Sequence, residues 1–268
     1  MTGDQTCALP IFALLKEAAR EAGVIALRYF RSSPEVWDKP GGAGPVSEAD
    51  LEVDRMLRHE LLAARQGYGW LSEETDDNPA RLGSERLFIV DPIDGTRAFL
   101  EGSEDWAISI ATARAGRITA GVVYLPARKL IFAAHRGGGA TLNGKPICVA
   151  DDRPLEAADI LATRPNFAPE HWISGSPPPA RRSFRSSLAY RLCLVAEGRY
   201  DAILTLRPAW EWDIAAGSLI VTEAKGQATD RVGRPLIFNS QGAQVDGLVA
   251  GGPAQPKLIN LLARPTLA

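Results

Sequence analysis

The sequence predicts an α/β protein of two unlike halves, an α+β first half and an α/β second half, meeting near residue 150. Three observations predict it. Two segments with apolar residues at helical spacing open the chain, and a run of short β-rich segments separated by turns extends from Trp106 to Val149. From Ile160 onward, strand-like and helix-like segments alternate.

Residues 1–11, MTGDQTCALPI, do not join smoothly to the helical pattern after them and read as a translated leader outside the fold. From Ala13, the positions Leu14, Ala18, Ala22, Ile25 and Tyr29 recur at helical spacing, so a first amphipathic helix is expected to about Phe30, stopped by Pro34. A glycine-rich loop, Lys39 to Pro45, precedes Ser47-Glu-Ala-Asp50, a capping sequence that opens a second helix with Val53, Leu57 and Leu61 as its buried stripe. Asp50, Asp54 and Arg58 repeat at i, i+4 on another face. Leu87-Phe-Ile-Val90 is a short apolar run of the kind buried strands show, and it ends in Asp91-Pro-Ile-Asp-Gly-Thr96. The β-rich run from Trp106 reads as an antiparallel meander, with Asn143-Gly144 marking a hairpin. In the second half, ILAT and DAILTL read as strands, and helices are expected over Leu188 to Glu197 and Trp212 to Ala224.

Composition excludes several classes of function. Thirty basic and 32 acidic residues give a net charge of -2, too balanced to attract nucleic acid polymers or an anionic membrane through the whole-molecule field. No apolar stretch approaches the roughly 18 residues of a spanning helix, and no secretory signal opens the chain, so the expected location is the cytoplasm. Cys7, Cys148 and Cys193 are widely spaced without a C-x-x-C pair; Cys148 and Cys193 sit in apolar runs and are expected in the core.

Glu73, Glu74, Asp91, Asp94 and Asp213 each lie beside an apolar strand or helix pattern, at element ends rather than on solvated faces. If such carboxylates converge they repel one another and need a cation between them, and hard oxygen ligands favour Mg²⁺ or Mn²⁺. Pro92 stiffens the turn between Asp91 and Asp94, and Gly95 lets the backbone approach a ligand. A helix starting at Thr96 would turn its free N–H groups toward a phosphate. Taken alone, D-x-x-D-G reads equally as a turn.

Taken together, LSEE (71–74), DPIDGTRAF (91–99) and WDIAAG (212–217), with PVSEAD (45–50) upstream, resemble the inositol monophosphatase superfamily of Mg²⁺-dependent phosphomonoesterases, from about Ala13 to the C-terminus. The resemblance implies a layered α-β-α-β-α sandwich, with residues 12–150 as a metal- and phosphate-binding part and 151–268 as a substrate part. It implies Glu73, Asp91, Asp94, Asp213 and the Ile93 carbonyl as ligands of two or three Mg²⁺ ions, Gly95 and Thr96 as phosphate contacts, and Asp50 as an acid beside the nucleophilic water. Glu74 would lie behind the ligands. The implied chemistry is in-line attack by metal-activated water, oriented by Thr96 and Asp50, with no phosphoenzyme.

Other motifs fall away. Gly139 to Lys145 nearly spells a P-loop, but Pro146 supplies no hydroxyl for Mg²⁺. The two residues between Asp91 and Asp94 do not fit the D-x-D of haloacid-dehalogenase phosphatases, and no EF-hand loop is present. His59, His135 and His171 show no ligand spacing; Trp210 and Trp212 read as core or site wall; Lys39 is either solvated or a ligand contact near the metals.

For the substrate, inositol monophosphatases carry a hydroxyl-binding glutamate seven residues before the last metal aspartate, a position that is Leu206 here. Its loss speaks against inositol phosphate. Ser186-Ser187-Leu188 and Glu211-Trp212-Asp213 resemble the 3'(2'),5'-bisphosphate nucleotidase branch, with Ser187 and Asp213 contacting the ester and Arg207 and Arg185 available to a second phosphate. The expected partner is therefore a small phosphate ester, best 3'-phosphoadenosine 5'-phosphate, with inositol 1-phosphate and histidinol phosphate as alternatives. The chain is expected to be a monomer or homodimer. A catalytically silent homologue is the reading from another class.

Overall fold

A computed structural model describes residues 5–39, 41 and 44–264, without the side chains of residues 5–9. The first helix, α1 (Gln5–Tyr29), begins earlier than expected and carries Pro10 within it. Ile11 is buried, so the segment set aside as a leader reaches the core at its end. The buried stripe of α1 is Leu15, Ala18, Ala19, Ala22 and Ala26, about one position round the helix from the expected one. A hairpin of β1 (Val36–Asp38) and β2 (Pro45–Ser47) leads into α2 (Glu48–Ala64). Ser47 caps α2 as expected: its N–H donates to Asp50 Oδ2 at 2.8 Å, and its hydroxyl donates to the same oxygen.

The main sheet has seven strands in sequence order: β3 (Gly69–Ser72), β4 (Arg86–Asp94), β5 (Ala107–Arg114), β6 (Arg117–Leu125), β7 (Leu130–His135), β8 (Ala140–Leu142) and β9 (Lys145–Ile147). Only the β3–β4 pair is parallel, so the rest is the expected meander. Asn143 and Gly144, with φ of 49° and 80°, make the β8–β9 turn, the positive φ pair a two-residue hairpin needs. The short helix α3 (Thr96–Leu100) leaves the end of β4, with Phe99 edge-on to the buried Trp106.

The second sheet runs β11 (Arg181–Ser183), β10 (Asp159–Ala162), β12 (Ala202–Thr205), β16 (Leu248–Gly251) and β14 (Gln227–Thr229), parallel across the first three and antiparallel thereafter. A small pair joins β13 (Ala209–Trp210) to β15 (Gln244–Val245). The helices of this half are α4 (Leu188–Ala196), α5 (Glu211–Glu223) and α6 (Ala254–Leu261). The expected helices are thus found within a residue or two, while β16 and α6 have no counterpart in the sequence reading.

Alternation along the strands stacks these elements into layers. Phe88 and Val90 of β4 face α1 and α2 in one apolar cluster, whereas Leu87 and Ile89 face α4 and α5 in another. Leu161, Ile203 and Ala250 bring the second sheet against the other side of α4 and α5, while Ile160, Leu204 and Val249 face α6. The result is the α-β-α-β-α sandwich. Gly121 of β6 lets α5 lie close, since a Cβ there would stand 2.9 Å from Ala216 Cα. Among the described residues, no helix is long and apolar enough to cross a membrane. Cys193 is buried as expected, but Cys148 is exposed, because it comes after the edge strand β9 rather than a covered one; the Cys7 side chain lies outside the described residues.

Candidate active site

The acidic residues converge where β3, β4 and the start of α5 meet. The β4–β5 register slips between Asp91 and Asp94, so three residues on β4 span two on β5. In a regular strand, residues three apart point to opposite faces; this bulge, at a proline that has no N–H to donate, lets both carboxylates line one cleft. Asp94 is followed by Gly95 at φ 99°, where a Cβ would stand 3.2 Å from the Asp105 carbonyl, and α3 then begins at Thr96. One carboxylate oxygen each from Glu73, Asp91 and Asp213 lies within 4.8 Å of the other two.

Burial pushes Asp91 well above the usual carboxylate range, with the charges of Glu73, Asp94 and Asp213 adding to it. Asp213, partly open to the cleft, is raised in the same way by burial, Asp94 and Glu73. The Oδ1 atom of Asp91 is buried without a hydrogen-bond partner among the described residues. An unsatisfied buried carboxylate oxygen inside a ring of like charges fits a divalent cation, which would supply the missing partner and cancel the repulsion. Glu73, Asp91 and Asp213 thus form a donor set for such an ion.

Asp94 lies in the same cleft but is held differently. Its Oδ2 accepts from Ser187 Oγ and from the Ala189 amide, both at 2.6 Å, which ties the end of β4 to the start of α4. Burial raises this carboxyl while those two hydrogen bonds lower it. Ser187, the cap of α4, sits at φ 62°, a region a non-glycine residue occupies only when its surroundings hold it there. The Ile93 carbonyl accepts from Thr96 Oγ1 at 3.2 Å, and Thr96 Oγ1 also reaches Asp50 Oδ1 at 3.2 Å. Asp50 is pushed up to about 6, chiefly by burial. Glu74 is pushed up to about 7, by burial and then by Glu73.

Lys39 is not solvated: it lies in ion pairs beside the acidic cluster. Its Nζ donates to Glu73 Oε1 at 2.6 Å and Glu74 Oε1 at 2.7 Å. Burial would lower this amine, but the two glutamates raise it above its usual value. Asp54, behind β3, accepts from Ser72 and Thr75 and so fixes the strand end that carries Glu73.

The cleft, about 530 Å³, continues from the acids toward α4 and the segment after β12. That side carries Arg191 and Arg207 with Phe184 and Trp210, while Arg97 lines the cleft from α3, near Gly44. Arg207 is exposed in the cleft as expected, but Arg185 is not part of it: its guanidinium donates to the Phe184 carbonyl and lies over the Tyr200 ring. Arg191 takes that place, a residue the sequence reading missed although it is a lone charge in the apolar helix LAYRLCLVA. Half-buried, it donates to the Ser187 carbonyl at 3.3 Å and stacks over Phe184. Burial lowers its guanidinium while Asp94 and Asp213 raise it.

Leu206 also needs correction. It is buried in the outer core with its carbonyl bonded to Arg231, so its side chain never faces the ligand space; Thr205 and Arg207 on either side do. Trp210 is site wall, 41% exposed and stacked on Trp212 at 4.7 Å. His59 is exposed beside Glu60, and His135 packs edge-on to Phe12; neither approaches the acids.

Comparison with known proteins identifies the family. The model of the inositol monophosphatase family matches residues 9–264. An inositol-1-monophosphatase of Rhizobium meliloti is 38% identical over 75% of this chain and 78% of its own length. A histidinol-phosphatase of Chlorobaculum parvum is 32% identical over 87% of this chain and 90% of its own. The solved structure of the extragenic suppressor protein suhB from Bartonella henselae superposes with a TM-score of 0.80 at 31% identity, covering 94% of this chain and 97% of that one. The family model and these relatives show that the chain belongs to the inositol monophosphatase family of metal-dependent phosphatases.

Proposed function

We propose that the chain is a cytoplasmic, Mg²⁺-dependent phosphomonoesterase that hydrolyses a small phosphorylated metabolite. The observation that carries this reading is the meeting of Glu73, Asp91 and Asp213 within 4.8 Å, beside the Gly95–Thr96 turn. Mg²⁺ bound there would acidify a water and polarise the phosphoryl group. Glu73, Asp91 and Asp213 are the ligands in this reading, with Asp94 and the Ile93 carbonyl beside them.

The chain's own groups do the rest. Gly95 and the first amides of α3 face the cleft and receive phosphoryl oxygens. Thr96 Oγ1, poised between Asp50 Oδ1 and the Ile93 carbonyl, orients the attacking water and passes its proton toward Asp50. At about 6, Asp50 is ionised near neutral pH yet basic enough to take that proton. Ser187 keeps Asp94 in place.

The substrate reading rests on the far side of the cleft. Away from the acidic cluster it offers two arginines and two aromatic rings and, among the described residues, no carboxylate to accept inositol hydroxyl protons. A second anionic group on the leaving alcohol suits Arg191 and Arg207, so 3'-phosphoadenosine 5'-phosphate is preferred over inositol 1-phosphate. The names of the R. meliloti and C. parvum relatives favour inositol 1-phosphate or histidinol phosphate as the second reading. A silent homologue fits less well, because a retired site has no reason to keep carboxylates that are costly to crowd.

Phosphate release from the three esters, measured with Mg²⁺ and with EDTA, tests both levels. Mg²⁺-dependent turnover favouring the bisphosphate is expected. Preference for either other ester would overturn the substrate reading alone, and absence of metal-dependent turnover on all three would overturn the enzymatic one.

A further inference from the structure

We propose that Arg81, Glu211 and Asn239 form a bolt that sets the spacing of the acidic cluster, which makes them positioning residues for the divalent cation; the inference rests on the reading that Glu73, Asp91 and Asp213 hold one. Glu73 and Asp91 stand at the ends of paired strands, so the sheet itself fixes their separation. Asp213 arrives on a helix from the other half. Like charges held this close push α5 away from the sheet, and something in the fold has to resist that push.

The bolt spans the gap between the two segments. Glu211, the first residue of α5 and two before Asp213, is fully buried. Its Oε2 accepts from the Asn239 amide at 2.6 Å and its Oε1 from the Ser240 amide at 2.8 Å, while its own N–H donates to the Ala243 carbonyl at 2.9 Å. Asn239 in turn grips Arg81 twice. Its Nδ2 donates to the Arg81 carbonyl at 3.0 Å, and its Oδ1 accepts from Arg81 Nη1 at 2.7 Å. Arg81, 3% exposed, is closed by a bidentate pair with Asp77 at 2.5 and 2.8 Å, on the segment that directly continues from Glu73 and Glu74. The chain after β3 is thus fastened to the first turn of α5 through Asn239.

Several features argue for more than packing. Charged side chains this deep persist only when fully partnered, and here the bonds run in series through Asn239 from the segment after Glu73 to the helix that carries Asp213. Asn239 adopts φ 66°, a conformation that presents its amide to Glu211 and its side chain to Arg81 together. A second tie, Ser109 Oγ to the Trp212 carbonyl at 3.2 Å, is a single neutral bond and cannot replace the network.

The test is Mn²⁺ affinity of the full chain, read from the paramagnetic resonance of the free ion, alongside the thermal midpoint. Asn239→Gly keeps the positive φ and removes both side-chain bonds; Glu211→Gln keeps the shape and removes the charge. Both are expected to weaken Mn²⁺ binding about tenfold or more, the scale at which supporting contacts tune a metal site. Leu258→Ala, in the outer core against α6, should lower the midpoint and leave Mn²⁺ affinity unchanged. Should Glu211→Gln not fold, Asn239→Gly decides. Unchanged affinity in the bolt variants, or equal weakening in Leu258→Ala, overturns the proposal while wild-type binding stands. A wild-type chain that binds no Mn²⁺ overturns the metal reading beneath it.

Discussion

The two walls of the cleft are built on different principles. The acidic wall is made of element ends: Glu73 after β3, Asp91 and Asp94 across a bulge in β4, and Asp213 in the first turn of α5. Buried hydrogen bonds hold its framework, from Ser47 to Asp50, from Ser72 to Asp54 and from Ser187 to Asp94. The arginine wall is made of single side chains, Arg191 and Arg207, of which Arg207 is exposed. A rigid, crowded wall suits the chemical step, which needs fixed charges. A looser cationic wall suits recognition, where one residue can change the preferred ester without disturbing the reaction.

The largest way to break this contrast is on the acidic wall. Asp91→Asn or Asp213→Asn should lower Mg²⁺-dependent turnover of every ester by about a thousandfold or more, the loss expected when a metal's charge stabilisation disappears. The same change relieves like-charge repulsion, so the thermal midpoint in EDTA should hold or rise. Thr96→Ala comes next, with a fall of about a hundredfold in kcat and little change in KM, because its hydroxyl orients water rather than substrate.

The recognition wall is expected to respond selectively. Arg191→Met should raise KM for the bisphosphate by about tenfold to a hundredfold, the worth of a charged hydrogen bond, and leave inositol 1-phosphate almost unaffected. The smallest effect is one of pH on the metal-free protein. Asp50 at about 6 and Glu74 at about 7 hold protons in the fold that the unfolded chain has already lost. Their contribution to stability is therefore complete below about pH 4 and is lost as pH rises through about 7. Thermal midpoints in EDTA should fall across that window, and added Mg²⁺ at pH 7 should restore them.

The same contrast explains what the sequence made legible. Carboxylates at element ends stand out because the apolar runs beside them mark where each strand or helix stops, and capping and hairpin signals such as Ser47 and Asn143-Gly144 are local. The bulge at Pro92 was not legible, since register depends on β5 rather than on β4 alone. Arg191 and Arg185 were exchanged because which of two arginines enters the cleft is decided by where α4 starts, at Ser187. Leu206 was misplaced against Thr205 for a similar reason, as counting back from Asp213 ignores which strand face each position takes. The bolt through Arg81 and Asn239 joins residues 158 apart, beyond any local pattern.

The division of labour between the walls is tested by a crossed kinetic measurement. kcat/KM is measured with Mg²⁺ for Asp213→Asn and Arg191→Met, each on 3'-phosphoadenosine 5'-phosphate and on inositol 1-phosphate. Asp213→Asn is expected to lose both activities in equal proportion, and Arg191→Met only that on the bisphosphate. An Arg191→Met enzyme impaired equally on both esters, or an Asp213→Asn enzyme that keeps either, would contradict it.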